Sequence, residues 1–212
     1  LDRLIKLHLN SNHIKYIEIN AFESLKSLEM LDLSDNNIRV LKTGSLNGMN
    51  NLLDLGLMFN KMEEIEIDTF KDTRNLTFLS LQNNNLRLVN RNEFRDLQIR
   101  ELDLNSQGIQ KISPFAFTEM RKLLKLNLAN NLISALPSSA FVNLTNLNSI
   151  LLQMNLIETI ESGAFVGLIS LIYINLSENE IKELKGNTFV NTRLATIHLW
   201  SNKLEKIERF AF

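Results

Sequence analysis

The chain has 212 residues, 44% of them hydrophobic, and a formal net charge of −1. It contains no cysteine, which excludes disulfides, zinc-finger sites and thiol nucleophiles within it. The near-neutral charge gives no strong pull toward nucleic acid or an anionic membrane, and no apolar run is long enough to cross a bilayer.

One phrase returns nine times, and such a period decides the architecture before local propensity is weighed. It reads L-x-x-L-x-L-x-x-N-x-I/L-x-x-I/L, followed by a Phe five residues on and an apolar residue three after that. Copies begin at Leu4, Leu28, Leu52, Leu76, Ile99, Leu123, Leu147, Leu171 and Leu194 and define coils one to nine. The whole of 1–212 is therefore expected to be a single solenoid without a linker.

Each coil opens on a short strand. In Leu31-Asp32-Leu33 the side chains alternate inward and outward, and stacking one such strand per coil predicts a parallel sheet with a spacing of about 4.8 Å. An asparagine column follows: Asn12, Asn36, Asn60, Asn84, Asn131, Asn155, Asn179 and Asn202, with Gln107 in coil five. An amide carries both donors and an acceptor, so this column is expected to tie each turn to the next coil. Replacing one of these residues with leucine is expected to cost about 1–3 kcal/mol. The third column is aromatic: Phe22, Phe70, Phe94, Phe117, Phe141, Phe165, Phe189 and Phe212, with Leu46 in coil two. It reads as a packed spine on the convex side. Coils four and eight are one residue short, and Thr73 and Thr192 fill the last apolar position. These departures predict local changes of twist.

Fixed columns are consumed by folding, so function is sought at the outward positions of the strands. Coil one offers His8, with His13 on the turn. Coils two to four carry exposed apolar bulk, Met30, Met58, Phe59 and Phe78, beside Asp32 and Asp54. Coil five adds Glu101 and Asp103. Coils seven to nine carry Leu151, Met154, Tyr173 and Trp200, the last being the only tryptophan. Exposed aromatic and methionine side chains are typical interface anchors, so both groups are candidate partner-binding clusters. The carboxylates read as a solvated polar face with no apolar pocket to raise their pKa. His8 and His198 stand eight coils apart, about 38 Å, too far to share a metal. No row shows the basic–aromatic alternation expected for nucleic acid. Motifs for a nucleophile elbow, a phosphate loop or a zinc helix are absent. Asn75, Asn143 and Asn175 begin N-x-S/T sequons and are candidate glycosylation sites. A glycan on Asn175 would shield the second cluster.

Stretches such as Leu31-Asp-Leu-Ser-Asp-Asn36 and Asn20-Ala-Phe-Glu-Ser-Leu25 resemble the typical 24-residue animal leucine-rich repeat, as in Toll-like receptor, chaoptin-like and Slit-like ectodomains. The resemblance extends over residues 4–212. It implies an α/β-type repeat solenoid: a curved horseshoe with a parallel concave sheet and an irregular or short-helical convex side. It further implies an extracellular or cell-surface glycoprotein that binds a protein ligand or co-receptor as a receptor, adhesion or innate-immune scaffold. A homo- or heterodimer is a further expected assembly. No catalysis, cofactor, metal, nucleic-acid partner or membrane insertion is expected of this segment. Cysteine-rich caps, usual in the family, are absent, so the segment is expected to be part of a longer binding surface. The alternative is a structural spacer or dimerisation module that uses its lateral or convex surface.

Overall fold

A single coil cannot bury its own leucines, so each must be covered by its neighbours. The computed structural model, which describes residues 1–91, 93–94 and 97–212, realises this stacking. Nine three-residue strands form one parallel sheet in chain order: Lys6–His8, Met30–Asp32, Asp54–Gly56, Phe78–Ser80, Glu101–Asp103, Lys125–Asn127, Ser149–Leu151, Tyr173–Asn175 and Thr196–His198. Register follows the phrase. Leu7 pairs with Leu31, Leu31 with Leu55, and Leu126 with Ile150. The two short coils do not shift it, since Ser80 still pairs with Asp103 and Tyr173 with Thr196. The loop before the strand absorbs each missing residue.

Beyond the strands the return segment takes the irregular form. Short two-residue strands pair on this side, as in Val40–Leu41 with Glu64–Ile65 and Ala135–Leu136 with Thr159–Ile160. Successive tight turns complete the coil: the Leu25 amide donates to the Phe22 carbonyl and the Leu28 amide to the Leu25 carbonyl. No helix occurs among the described residues. Left-handed residues such as Asn20, Gly44 and Gly48 recur between the turns and prevent one from propagating.

The two fixed columns behave as covalent spacing demands, with one correction. The asparagines reach back to the preceding coil rather than forward. Asn155 Nδ2 donates to the Leu152 carbonyl of its own coil and to the Leu128 carbonyl of the one before, while its Oδ1 accepts from the Ile133 amide. Gln107 is fully buried and also bonds backward, to the Leu81 carbonyl, but its Oε1 has no partner among the described residues. The longer side chain thus keeps the donor half of the link and loses the acceptor half. Phenylalanine rings from Phe94 to Phe212 stack coil on coil, with centroids 5.6–6.2 Å apart and planes within 15° of parallel. Thr73 and Thr192 satisfy their hydroxyls locally, on the Phe70 and Phe189 carbonyls. One continuous apolar core runs the length of the array.

Candidate functional site

The outward positions of the nine strands make the concave face, and the register sets which of them are neighbours. In coils two to four, Met30, Asp54 and Phe78 lie side by side on adjacent strands. Asp54 is thereby flanked by two apolar side chains, and its carboxyl is pushed above the usual range, first by burial and then by the nearby Asp32 charge. This corrects the expectation that the carboxylates here are simply solvated. Asp32 itself folds onto its own turn, its Oδ1 accepting from the Ser34 amide. A Cβ at position 56 would come within 2.7 Å of that oxygen, so Gly56 is what lets Asp32 lie across the face. Met58 is half-buried, and Phe59 and Phe78 are exposed.

Coils five and six separate the two clusters. Lys125 Nζ lies 2.7 Å from Glu101 Oε1, which neutralises the acid. Asp103 and Asn127 each close a local turn, accepting from the Asn105 and Ala129 amides.

Over coils seven to nine, Leu151, Asn175 and His198 are register neighbours. Tyr173 meets the His198 ring edge-on, with centroids 5.4 Å apart and its hydroxyl 3.5 Å from Nδ1. Leu151 and Tyr173 are half-buried, whereas Met154 is 48% and Trp200 57% exposed. Met154 stands two coils from Trp200, about 10 Å away, so the cluster is a shared face rather than one packed knot. Asn175 Oδ1 accepts from both the amide and the hydroxyl of Ser177. Asn75 Nδ2 donates to the Asn50 carbonyl at an exposed edge, and Asn143 is exposed on a left-handed turn.

Three positions that the strand alternation points outward, Ser80, Ala129 and Ser177, are buried. Small side chains on a concave sheet are covered by longer neighbours. Leu132 and Leu156, not among the outward candidates above, are exposed one residue after Asn131 and Asn155, and Leu156 lies two residues beyond Met154. That column is otherwise His13, Asn37, Lys61, Asn85, Gly108, Glu180 and Lys203, so two leucines in a largely polar column were the available signal.

Backbone conformation adds an independent mark. The residue before each ladder amide is left-handed in all nine coils, and Ser11, Asp35, Asn83, Ser106, Asn130, Glu178 and Ser201 occupy it elsewhere. Phe59 (φ 53°) and Met154 (φ 57°) place bulky apolar side chains there, one in each cluster. For such residues this conformation costs about 1–3 kcal/mol. The repeat imposes this conformation, with the Phe59 and Met154 amides donating to the Gln82 and Ser177 carbonyls of the next coil, but exposed as they are the two apolar side chains add nothing to the core.

A family described as "BspA type Leucine rich repeat region" matches residues 87–212, in six copies, and one described as "Leucine rich repeat" matches residues 2–62 and 51–106. No curated protein sequence matches the chain significantly. Several hundred solved chains do so by structure. One, from a TLR13–ssRNA13 complex, is 28% identical with a TM-score of 0.87, over 94% of this chain. Another, from the Toll–Spatzle complex of Drosophila development and innate immunity, is 25% identical with a TM-score of 0.90, over all of it. The leucine-rich repeat domain of APL1B shares the fold at 24% identity and a TM-score of 0.76, over 97% of this chain. The chain spans 28% of each of the first two and 57% of the third.

Proposed function

Because this chain belongs to the leucine-rich repeat family, we propose that it is a protein-binding segment of an extracellular or cell-surface receptor. Its partner docks on the concave face over coils seven to nine. The observation that carries this reading is Met154: the repeat makes its position left-handed in every coil, yet here it carries a bulky, exposed apolar side chain where seven other coils carry Ser, Asp, Asn or Glu. Trp200, also exposed, and Tyr173 supply aromatic anchors on the same face, and Leu151 supplies apolar area beside them. Coils two to four, with Met30, Met58, Phe59, Phe78, Asp32 and Asp54, form a second contact surface. There the partly buried Asp54 carboxyl suits a basic side chain of the partner. Binding is by shape and surface chemistry, without a catalytic step. A rigid array is well suited to this, since little ordering accompanies association. The Toll-like neighbours are consistent with a role in recognition, adhesion or innate immunity.

The test compares the double variant Tyr173→Ala/Trp200→Ala with wild type for the protein that wild type captures from its native extracellular fluid. Affinity should fall at least about a hundredfold, as for loss of two anchors. The melting temperature should stay within about 2 °C, because neither side chain is in the core. Unchanged affinity rules out the surface over coils seven to nine. The expectation that nucleic acid is no partner does not carry over from the family, since one similar chain is in complex with ssRNA. Single-stranded RNA is therefore run in the same comparison.

A second reading, a dimerisation module, has its own observation. Val166, Ile169, Ile172 and Val190 are exposed on coils seven and eight, outside the concave row. A concentration-dependent dimer in light scattering that survives the concave double variant would favour it.

A further inference from the structure

Two flank columns follow the asparagine ladder, one and three residues after each amide. At the carboxyl-terminal end of the solenoid their cations are matched across coils: Lys203 pairs with Glu180, and Lys182 Nζ lies 3.9 Å from Glu158. At the amino-terminal end the same columns carry one acid, Glu63, and five other residues. Those five, His13, Lys15, Asn37, Arg39 and Lys61, line a cleft of about 570 Å³. None of His13, Lys15, Arg39 and Lys61 has a carboxylate within 4.0 Å among the described residues, and Lys61 Nζ donates only to Asn37 Oδ1, at 2.7 Å. The same repeat positions are thus ion-paired across coils at one end and not at the other, where three cations face a single acid, Glu63, in a chain whose net charge is −1. A local excess of this kind is not explained by overall composition.

We propose that this cleft on the flank of coils one to three binds a sulfated polysaccharide. The lining contains three cations, one imidazole and one amide, which suit sulfate oxygens through hydrogen bonds, charge-assisted from Lys15, Arg39 and Lys61. Lys15, Arg39 and Lys61 come from three successive coils, so their charges are spread over about 10 Å and favour a ligand with repeated anionic groups. No Phe, Tyr or Trp lines the cleft, which leaves only the His13 imidazole as a stacking surface for single-stranded nucleic acid. No lining residue is apolar either, which leaves Arg39 as the one side chain there of the kind that anchors a protein interface. The cleft lies on the flank about six coils from the Trp200 cluster, so the two sites can be occupied together.

The probe is a heparin oligosaccharide, titrated against the whole chain near physiological ionic strength. Its chemically desulfated counterpart, a poly-glutamate peptide and a short single-stranded RNA are the comparison arms. Wild type should bind the sulfated oligosaccharide most tightly, with affinity falling steeply as salt is raised. Lys15→Ala/Arg39→Ala/Lys61→Ala should lose at least about tenfold in affinity, with an unchanged melting temperature because all three side chains are exposed. Lys182→Ala/Lys203→Ala, which removes the paired cations of the same flank, should bind as wild type. The proposal is overturned by absent heparin binding or by equal binding of the desulfated sugar. It is equally overturned by tighter binding of RNA or poly-glutamate, or by equal loss in the two variants.

Discussion

Truncating Phe141 to alanine is expected to destabilise the chain by about 3–5 kcal/mol. The ring is fully buried and stacked on both sides, 6.2 Å from Phe117 and 6.0 Å from Phe165, at interplanar angles of 10° and 3°. Its loss opens a cavity in the middle of the spine and removes two ring contacts worth roughly 0.5–1.5 kcal/mol each, so Phe117 and Phe165 keep only Phe94 and Phe189 as partners. Stability in a solenoid is a sum of coil and nearest-neighbour terms, so the damage falls on the interfaces of coil six with five and seven. The control is already in the chain: Leu46 fills the same column in coil two and is equally buried. Phe141→Leu should therefore cost far less, about 1–2 kcal/mol. Urea denaturation of both variants measures the difference. A Phe141→Leu midpoint equal to wild type would mean that the rings only fill volume, and near-equal midpoints of the two variants would contradict the cavity argument.

Glu93→Thr is expected to stabilise the chain at neutral pH and to remove part of its pH dependence. Residues before the spine aromatic are otherwise small: Ala21, Ser45, Thr69, Ala116, Ala140, Ala164, Thr188 and Ala211. Ser45, Thr69 and Thr188 return their hydroxyls to the carbonyl three residues back. Glu93 puts a carboxyl in this column, only 5% exposed. Its Oε1 accepts from Asn90 Nδ2 at 2.7 Å, and its Oε2 is without a partner among the described residues. Burial is the main cause that pushes its pKa up to about 7; the Asn90 bonds oppose the shift and the Glu64 charge adds to it. A carboxyl raised above its unfolded value of 4.5 holds its proton more tightly in the fold. Stability is then unpenalised below pH 4.5, falls as pH rises toward 7, and stays reduced above it, by about 3 kcal/mol. Thermal melts of wild type and Glu93→Thr should coincide near pH 4 and separate by roughly 10 °C near pH 8, with the variant higher. Parallel curves across that range would contradict the buried carboxyl. Glu208 runs the other way, lowered to about 2 by the Gly186 amide and Lys206, but it is common to both proteins and cancels in the comparison.

The architecture was legible because nine copies of one phrase leave a single way to bury the leucines. The Phe column was readable from spacing alone, and the strand register followed from it. What the period does not encode is how outward side chains treat one another on a curved face. Asp32, Asp103, Asn127 and Asn175 look free in sequence, yet each turns back to accept an amide two residues on. Ser177 looks outward and is covered. The strain at Phe59 and Met154 is likewise invisible until the backbone places their column in the left-handed region. The basic cleft depends on pairing between coils: His13, Lys15, Arg39 and Lys61 read as ordinary surface residues until the matched pairs Lys182–Glu158 and Lys203–Glu180 show what the same positions do elsewhere.

The central claim, that coils seven to nine keep an open concave surface for a protein partner, can be tested without knowing the partner. Asn175 sits in the middle of that surface, between Leu151 and His198, at the head of an N-x-S sequon. Asn75 and Asn143 head the other two sequons and lie exposed, away from the concave row. Site-specific glycan occupancy, measured by mass spectrometry on the native protein, should therefore find Asn175 bare, whatever the state of Asn75 and Asn143. Full occupancy at Asn175 would cover Leu151, Tyr173 and His198 with sugar and contradict the proposed docking surface.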